Sequence, residues 1–136
     1  MNREDSTSLV NGYMKQIDRT AAAIAFKPGE NVGFSSMTYQ NLKIEVGLIE
    51  MDDSEMDLLI SIGLIPVPGQ DREAFMQQLL QWNNFVSGYG HFSLGNDGNT
   101  VFMVCRRPVA ELDFEEFEAL IANMSGNSFA VLRQAQ

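Results

Sequence analysis

Residues 71–107, DREAFMQQLLQWNNFVSGYGHFSLGNDGNTVFMVCRR, carry the pattern on which the fold turns. From Asp71 to Phe85 the residues Phe75, Met76, Leu79, Leu80 and Trp82 recur at helical spacing and predict a short amphipathic helix. Asp71 stands where an N-cap belongs and Glu73 in the first turn, while Gly88, Tyr89 and Gly90 mark where the helix has ended. Two alternating runs follow, Gly90 to Gly95 and Thr100 to Arg107. They are joined by Asn96-Asp97-Gly98-Asn99, whose Asp-Gly pair suits the positive φ of a tight hairpin turn. Helix, break and hairpin thus form one unit, and the apolar face of the helix needs a partner.

Upstream, Leu42, Ile44, Val46 and Leu48 alternate with Lys43, Glu45, Gly47 and Ile49, the signature of a half-buried strand. After the polar turn Met51 to Glu55, the alternation resumes at Met56, Leu58, Ile60, Ile62 and Leu64 and stops before Pro66. Leu59 and Ile65 make this strand apolar on its second face as well, which suits the sheet centre. A shorter strand is expected around Phe34 to Tyr39. Before it, Leu9, Tyr13, Ile17 and Ile24 fall on one side of a helix from about Ser8 to Phe26, ended by Pro28-Gly29.

Downstream, Asp113 and Glu116 form a capping box, and Leu112 can staple onto Phe117. The helix they open runs from Phe114 to about Met124, burying Phe117, Leu120, Ile121 and Met124. Gly126 is expected to stop it, with Phe129, Val131 and Leu132 adding a packed turn. The predicted order is helix, three strands, helix, two strands, helix: an α+β fold in which helices pack on an antiparallel sheet.

With 136 residues and 45% hydrophobic content, residues 1–136 are expected to form one domain, burying roughly two-thirds of the surface of the unfolded chain. Nine basic against eighteen acidic residues leave a net charge of -9, which disfavours nucleic acid and anionic membrane surfaces as partners. The single cysteine, Cys105, excludes an intrachain disulfide and a zinc site built on several thiolates. Glu4 and Asp5 within Met1 to Ser8 are unlike the basic start of a signal peptide, and every apolar tract falls short of the ~20 residues of a membrane span. A soluble cytoplasmic protein is expected.

Little here supports catalysis. His91 is the only histidine, which rules out a multi-imidazole metal site, and Cys105 alternates with Val101 and Met103 as a small buried hydrophobe would. Asp52, Asp53, Glu55 and Asp57 lack the glycine of a hand-type calcium loop, because the sixth position from Asp53 is Leu58. Gly88 to Ser93 fails the dinucleotide fingerprint at Ser93 and follows a helix instead of a strand. Glu115, Glu116 and Glu118 read as the solvated face of a capped helix. No enzyme and no cofactor are expected. What stands out is apolar surplus: eight methionines, nine phenylalanines and a run, Val101 to Cys105, that is apolar on both faces. Either a generous monomer core absorbs it, or a second subunit or a bound peptide covers one side.

In order along the chain, Leu79-Leu80-Gln81-Trp82-Asn83, Gly95 with Asp97-Gly98, Val101 to Val104, and Leu112-Asp113 with Phe117 and Leu120 resemble the pattern of class I type III secretion chaperones, the Tir-chaperone family, over about Leu42 to Leu132. The resemblance implies a small acidic homodimer in the cytosol of a Gram-negative bacterium, serving virulence, with no enzymatic activity and no nucleotide. Its partner would be the N-terminal segment of a secreted effector, wound around the dimer in an extended state and kept soluble and competent for the secretion ATPase. Carried over by position, Met76, Leu80, Trp82 and Phe92 would build the dimer interface. Leu9, Tyr13, Ile17, Phe34, Met37, Ile44 and Val46 would line the effector site, though each could equally be core. A regulator of the same fold, sequestering a gatekeeper or a transcription activator, is the alternative that the resemblance leaves open.

Overall fold

The computed structural model describes residues 1–84 and 90–134; the helix end at Phe85 and the break at Gly88 and Tyr89 lie outside the described residues. Along the chain run α1 (Arg3–Ile17), β1 (Ala25–Phe26), β2 (Val32–Tyr39), β3 (Leu42–Glu50), β4 (Met56–Pro66), α2 (Arg72–Asn83), β5 (His91–Leu94), β6 (Thr100–Pro108), a 3-10 turn (Val109–Glu111) and α3 (Phe114–Gln134). The strands form one antiparallel sheet in the order β1-β2-β3-β4-β6-β5. This is the expected α+β architecture with one small strand added, and β4 lies between β3 and β6, as its two apolar faces require.

Register decides which side of the sheet is core. The pairs Met37↔Ile44, Leu48↔Leu58, Ile60↔Cys105 and Ile62↔Met103 stack on one face, and all eight residues are at most 2% exposed. Val10 and Met14 of α1 and Phe117, Ile121 and Met124 of α3 complete the same buried cluster. Cys105 belongs to it, and burial pushes its thiol above the usual range, against a smaller opposing effect of Arg107.

Two helices and one cap differ from expectation for identifiable reasons. The helix placed at Ser8 to Phe26 is α1, which ends at Ile17; its core ridge is Ser6, Val10 and Met14, with Leu9, Tyr13 and Ile17 on the half-buried flank. The alanines that suggested helix lead instead into β1. Arg3 anchors the helix start: its guanidinium pairs with Glu50 at 2.7 Å and lies 4.3 Å from the centroid of the Phe26 ring. Gly126 does not stop α3, because it faces solvent while Met124, Ser128 and Val131 keep the buried stripe in phase to the end. At α2, Asp71 holds the cap position in a left-handed conformation and makes no capping bond, whereas Asp113 does cap α3 by accepting from the Glu116 N–H at 2.8 Å.

The face of the sheet turned away from the helices has its own device. Phe34 stands directly opposite Gly47, and Phe102 opposite Gly63. A Cβ on Gly47 would lie 2.7 Å from the Phe34 ring, and one on Gly63 3.3 Å from that of Phe102, so each ring occupies space over the neighbouring strand where no side chain stands. On the helix-facing side Phe26 does the same over its partner Gly33.

Candidate protein-interaction surfaces

Two regions collect the residues predicted to bind partners. The first is the end of the sheet where α2 meets β5. Leu79 is the buried contact of α2, while Leu80, one residue on, points to solvent at 68% exposure. Met76 and Trp82 are half-buried, and Phe92 is covered. The Trp82 ring bridges Phe75 and Phe92 in two edge-on contacts with centroids 6.2 and 6.0 Å away. Asn83 fixes the geometry: its side-chain amide bonds to both the N–H and the carbonyl of Phe92, so the helix end is stitched to the edge strand. Gly90 makes the entry to β5 possible with φ of +104°, at a point where a Cβ would collide with the Val104 carbonyl oxygen. Of the four residues predicted for a dimer seam, Leu80 is the one whose side chain is free, and Phe92 acts as the anchor beneath Trp82.

The second group is divided by the sheet, with Leu9, Tyr13 and Ile17 on α1 on the helix-covered side and Phe34 on the opposite face of β2. Leu9, Tyr13 and Ile17 form a half-buried ridge. Tyr13 is set by ring contacts with Phe114 and Phe117, both at 5.7 Å, and by a 3.4 Å bond from its hydroxyl to the Leu112 carbonyl. Phe34 is 53% exposed, whereas Met37, Ile44 and Val46 are core residues at 2%, 0% and 0%. Those three therefore present no side-chain surface here. Alternation shows that a strand has two faces and does not say which one the helices cover. An open depression of about 540 Å³ lies beside Phe34, lined by Ala22, Ala23, Ser35, Ser36, Lys43 and Glu45.

Sequence reasoning missed Asp18, placed inside the first helix. It follows α1, and its carboxylate accepts from the Thr38 N–H at 2.8 Å and from the Thr20 N–H and hydroxyl at 3.0 and 2.8 Å. These bonds, that from Thr38 foremost, hold its pKa below the ordinary value. An aspartate two residues before a threonine is the signal that could have exposed a turn there.

Among the described residues no group of three or more His, Cys, Asp or Glu is placed to hold a metal ion, and no helix is long and apolar enough to cross a membrane. What the two regions have in common is an exposed apolar side chain, Leu80 in the first and Phe34 in the second.

Among curated proteins none matches this sequence. Solved structures share its fold. The chain is similar to one in the ExsC-ExsE complex, with 21% identity, TM-score 0.65, and coverage of 98% of this chain and 96% of that one. It is similar to one in the HopA1-SchA chaperone-effector complex, with 13% identity, TM-score 0.60, and coverage of 95% and 97%. A third likeness is to a chain in the complex of the Yersinia pestis type III secretion chaperone SycH with a stable fragment of YscM2, with 12% identity, TM-score 0.54, and coverage of 92% and 98%. The model of the Tir chaperone protein (CesT) family matches residues 38–127, well over half of the sequence. This protein belongs to that family of type III secretion chaperones.

Proposed function

We propose that this chaperone works in the cytosol as a homodimer that holds the N-terminal segment of a secreted effector in an extended, soluble state competent for the secretion ATPase. The observation that carries the reading is Phe34, an aromatic side chain 53% exposed beside an open depression at the sheet edge. Its cover over Gly47 still leaves half of the residue in water, and an extended partner can pair with backbone and seat an apolar side chain on the ring. Leu80, at 68% exposure on α2, supports the twofold contact in the same way. The net charge of -9 keeps such a protein dispersed while its apolar surfaces wait for a partner.

The test is co-expression with the genes that neighbour its own, followed by purification. A stoichiometric partner retained through its N-terminal segment, and lost on Phe34→Asp while the variant stays folded, is the expected result. Recovery of the wild type as a lone monomer would overturn the proposal. A second reading keeps these surfaces and changes the client to a regulator, either a gatekeeper or a transcription activator. It is favoured by the range of partners among the similar structures: of the three complexes, one is described as chaperone with effector. The identity of the retained protein separates the two readings.

A further inference from the structure

The two edges of the sheet are closed by different means. At β5 the Asn83 amide satisfies both backbone groups of Phe92 at once. At β2 the ladder with β1 has two residue pairs, Ala25↔Phe34 and Phe26↔Gly33. Continued at the same register, it would bring Ala23 opposite Ser36 and Ala21 opposite Thr38. The chain does not continue it.

Residues 18–24 follow the β2 edge with side chains in place of the ladder. Asp18 Oδ2 accepts from the Thr38 N–H at 2.8 Å, and the Ser35 hydroxyl donates to the Ala22 carbonyl at 2.6 Å. The Ile24 N–H turns away from the edge and donates to Asn11 Oδ1 at 2.8 Å. Ala21 and Ile24 fasten the segment to the core, while Ala22 and Ala23 between them are exposed. The depression beside Phe34 opens where these alanines pass over Ser35 and Ser36.

We propose that residues 18–24 form a displaceable strap latched by Asp18, which covers the β2 edge in the free protein and gives way when an extended client segment pairs there. The proposal rests on the client-binding reading above and adds how access to that site is controlled. A carboxylate satisfies a single amide of the edge. A strand offers an N–H and a carbonyl at every second residue, so exchange of strap for client increases the number of backbone bonds. Until then the latch reduces the share of molecules ready to bind, and weakens apparent affinity by that share.

The test compares the full-length wild type with Asp18→Ala and Asp18→Asn, by hydrogen exchange and by affinity for the partner recovered in co-expression. Residues 18–24 should exchange faster than residues 9–14 of α1. Asp18→Ala should speed Thr38 by about fivefold or more, leaving residues 44–48 unchanged, and should tighten partner binding by a similar factor. Asp18→Asn, which keeps an acceptor oxygen without the charge, should fall between. Unchanged or weaker binding by Asp18→Ala overturns the strap, even where Thr38 exchange rises. If the wild type recovers no partner, the chaperone reading fails by itself and exchange decides the strap. Residues 18–24 as protected as α1 would then overturn it, and fast, separate opening would sustain it.

Discussion

The side-chain amide of Asn83 pairs with the backbone of Phe92 as a neighbouring strand would, accepting from its N–H at 2.6 Å and donating to its carbonyl at 3.1 Å. One side chain thereby ends α2, positions β5 and blocks part of an exposed edge. Asn83→Ala should cost about 1–3 kcal/mol in urea denaturation, because two half-buried backbone groups lose their partner. Asn83→Asp should be worse than Asn83→Ala, since a carboxylate would face the Phe92 carbonyl without a proton to donate. Equal stability of Asn83→Ala and wild type would show that water replaces the amide at no cost.

Leu80 separates folding from assembly. At 68% exposure its replacement by aspartate should change the stability of the folded chain by no more than ~0.5 kcal/mol. Light scattering should nonetheless report half the wild-type mass if α2 forms the twofold seam. An unchanged mass with an intact circular dichroism spectrum would remove this helix face from the interface.

Gly90→Ala should be among the most harmful small substitutions. It combines a left-handed backbone, φ +104°, with a collision against the Val104 carbonyl, and strain of that kind costs about 1–3 kcal/mol before any displacement of β6. Gly126→Ala is the control. That residue is exposed and helical with open space around its Cα, so the change should stabilise by up to ~1 kcal/mol. Thermal melting of the two variants compares them directly.

Cys105 is 2% exposed and burial raises the pKa of its thiol, so alkylation at neutral pH should proceed only as fast as the protein opens. A group whose folded pKa lies above the unfolded one contributes stability below the unfolded value, here 9.0, and loses it as pH rises through the folded value. Stability should therefore fall above about pH 9, and Cys105→Ala should remove that part of the decline. Rapid labelling of native protein would show that β6 opens far more readily than its core position allows.

Legibility followed periodicity. β3 and β4 were readable because apolar side chains alternate along them, β6 because the apolar run Val101 to Cys105 follows a tight-turn signal, and the start of α3 because Asp113 and Glu116 make a local signal. The end of α1 was not, since Ala21 to Ile24 suit a helix by propensity, and only tertiary bonds, from Asn11 to Ile24 and from Asp18 to Thr38, hold them extended. The same limit applies to the interaction residues. Leu9, Tyr13, Ile17 and Phe34 lie where a partner can touch them, and Met37, Ile44 and Val46 do not, because sequence carries the two faces of a strand and the packing of helices selects one.

The pairing of Phe34 with Gly47, and of Phe102 with Gly63, makes each ring and its glycine a single packing unit. Neither member drifts freely: a larger residue at Gly47 displaces the Phe34 ring, one at Gly63 presses on that of Phe102, and loss of either ring bares the backbone beneath it. Across relatives of this chaperone the two positions of a pair should change together or not at all. An alignment would then disclose strand neighbours, and the contour of the sheet face turned away from the helices, in chains whose structures have never been determined.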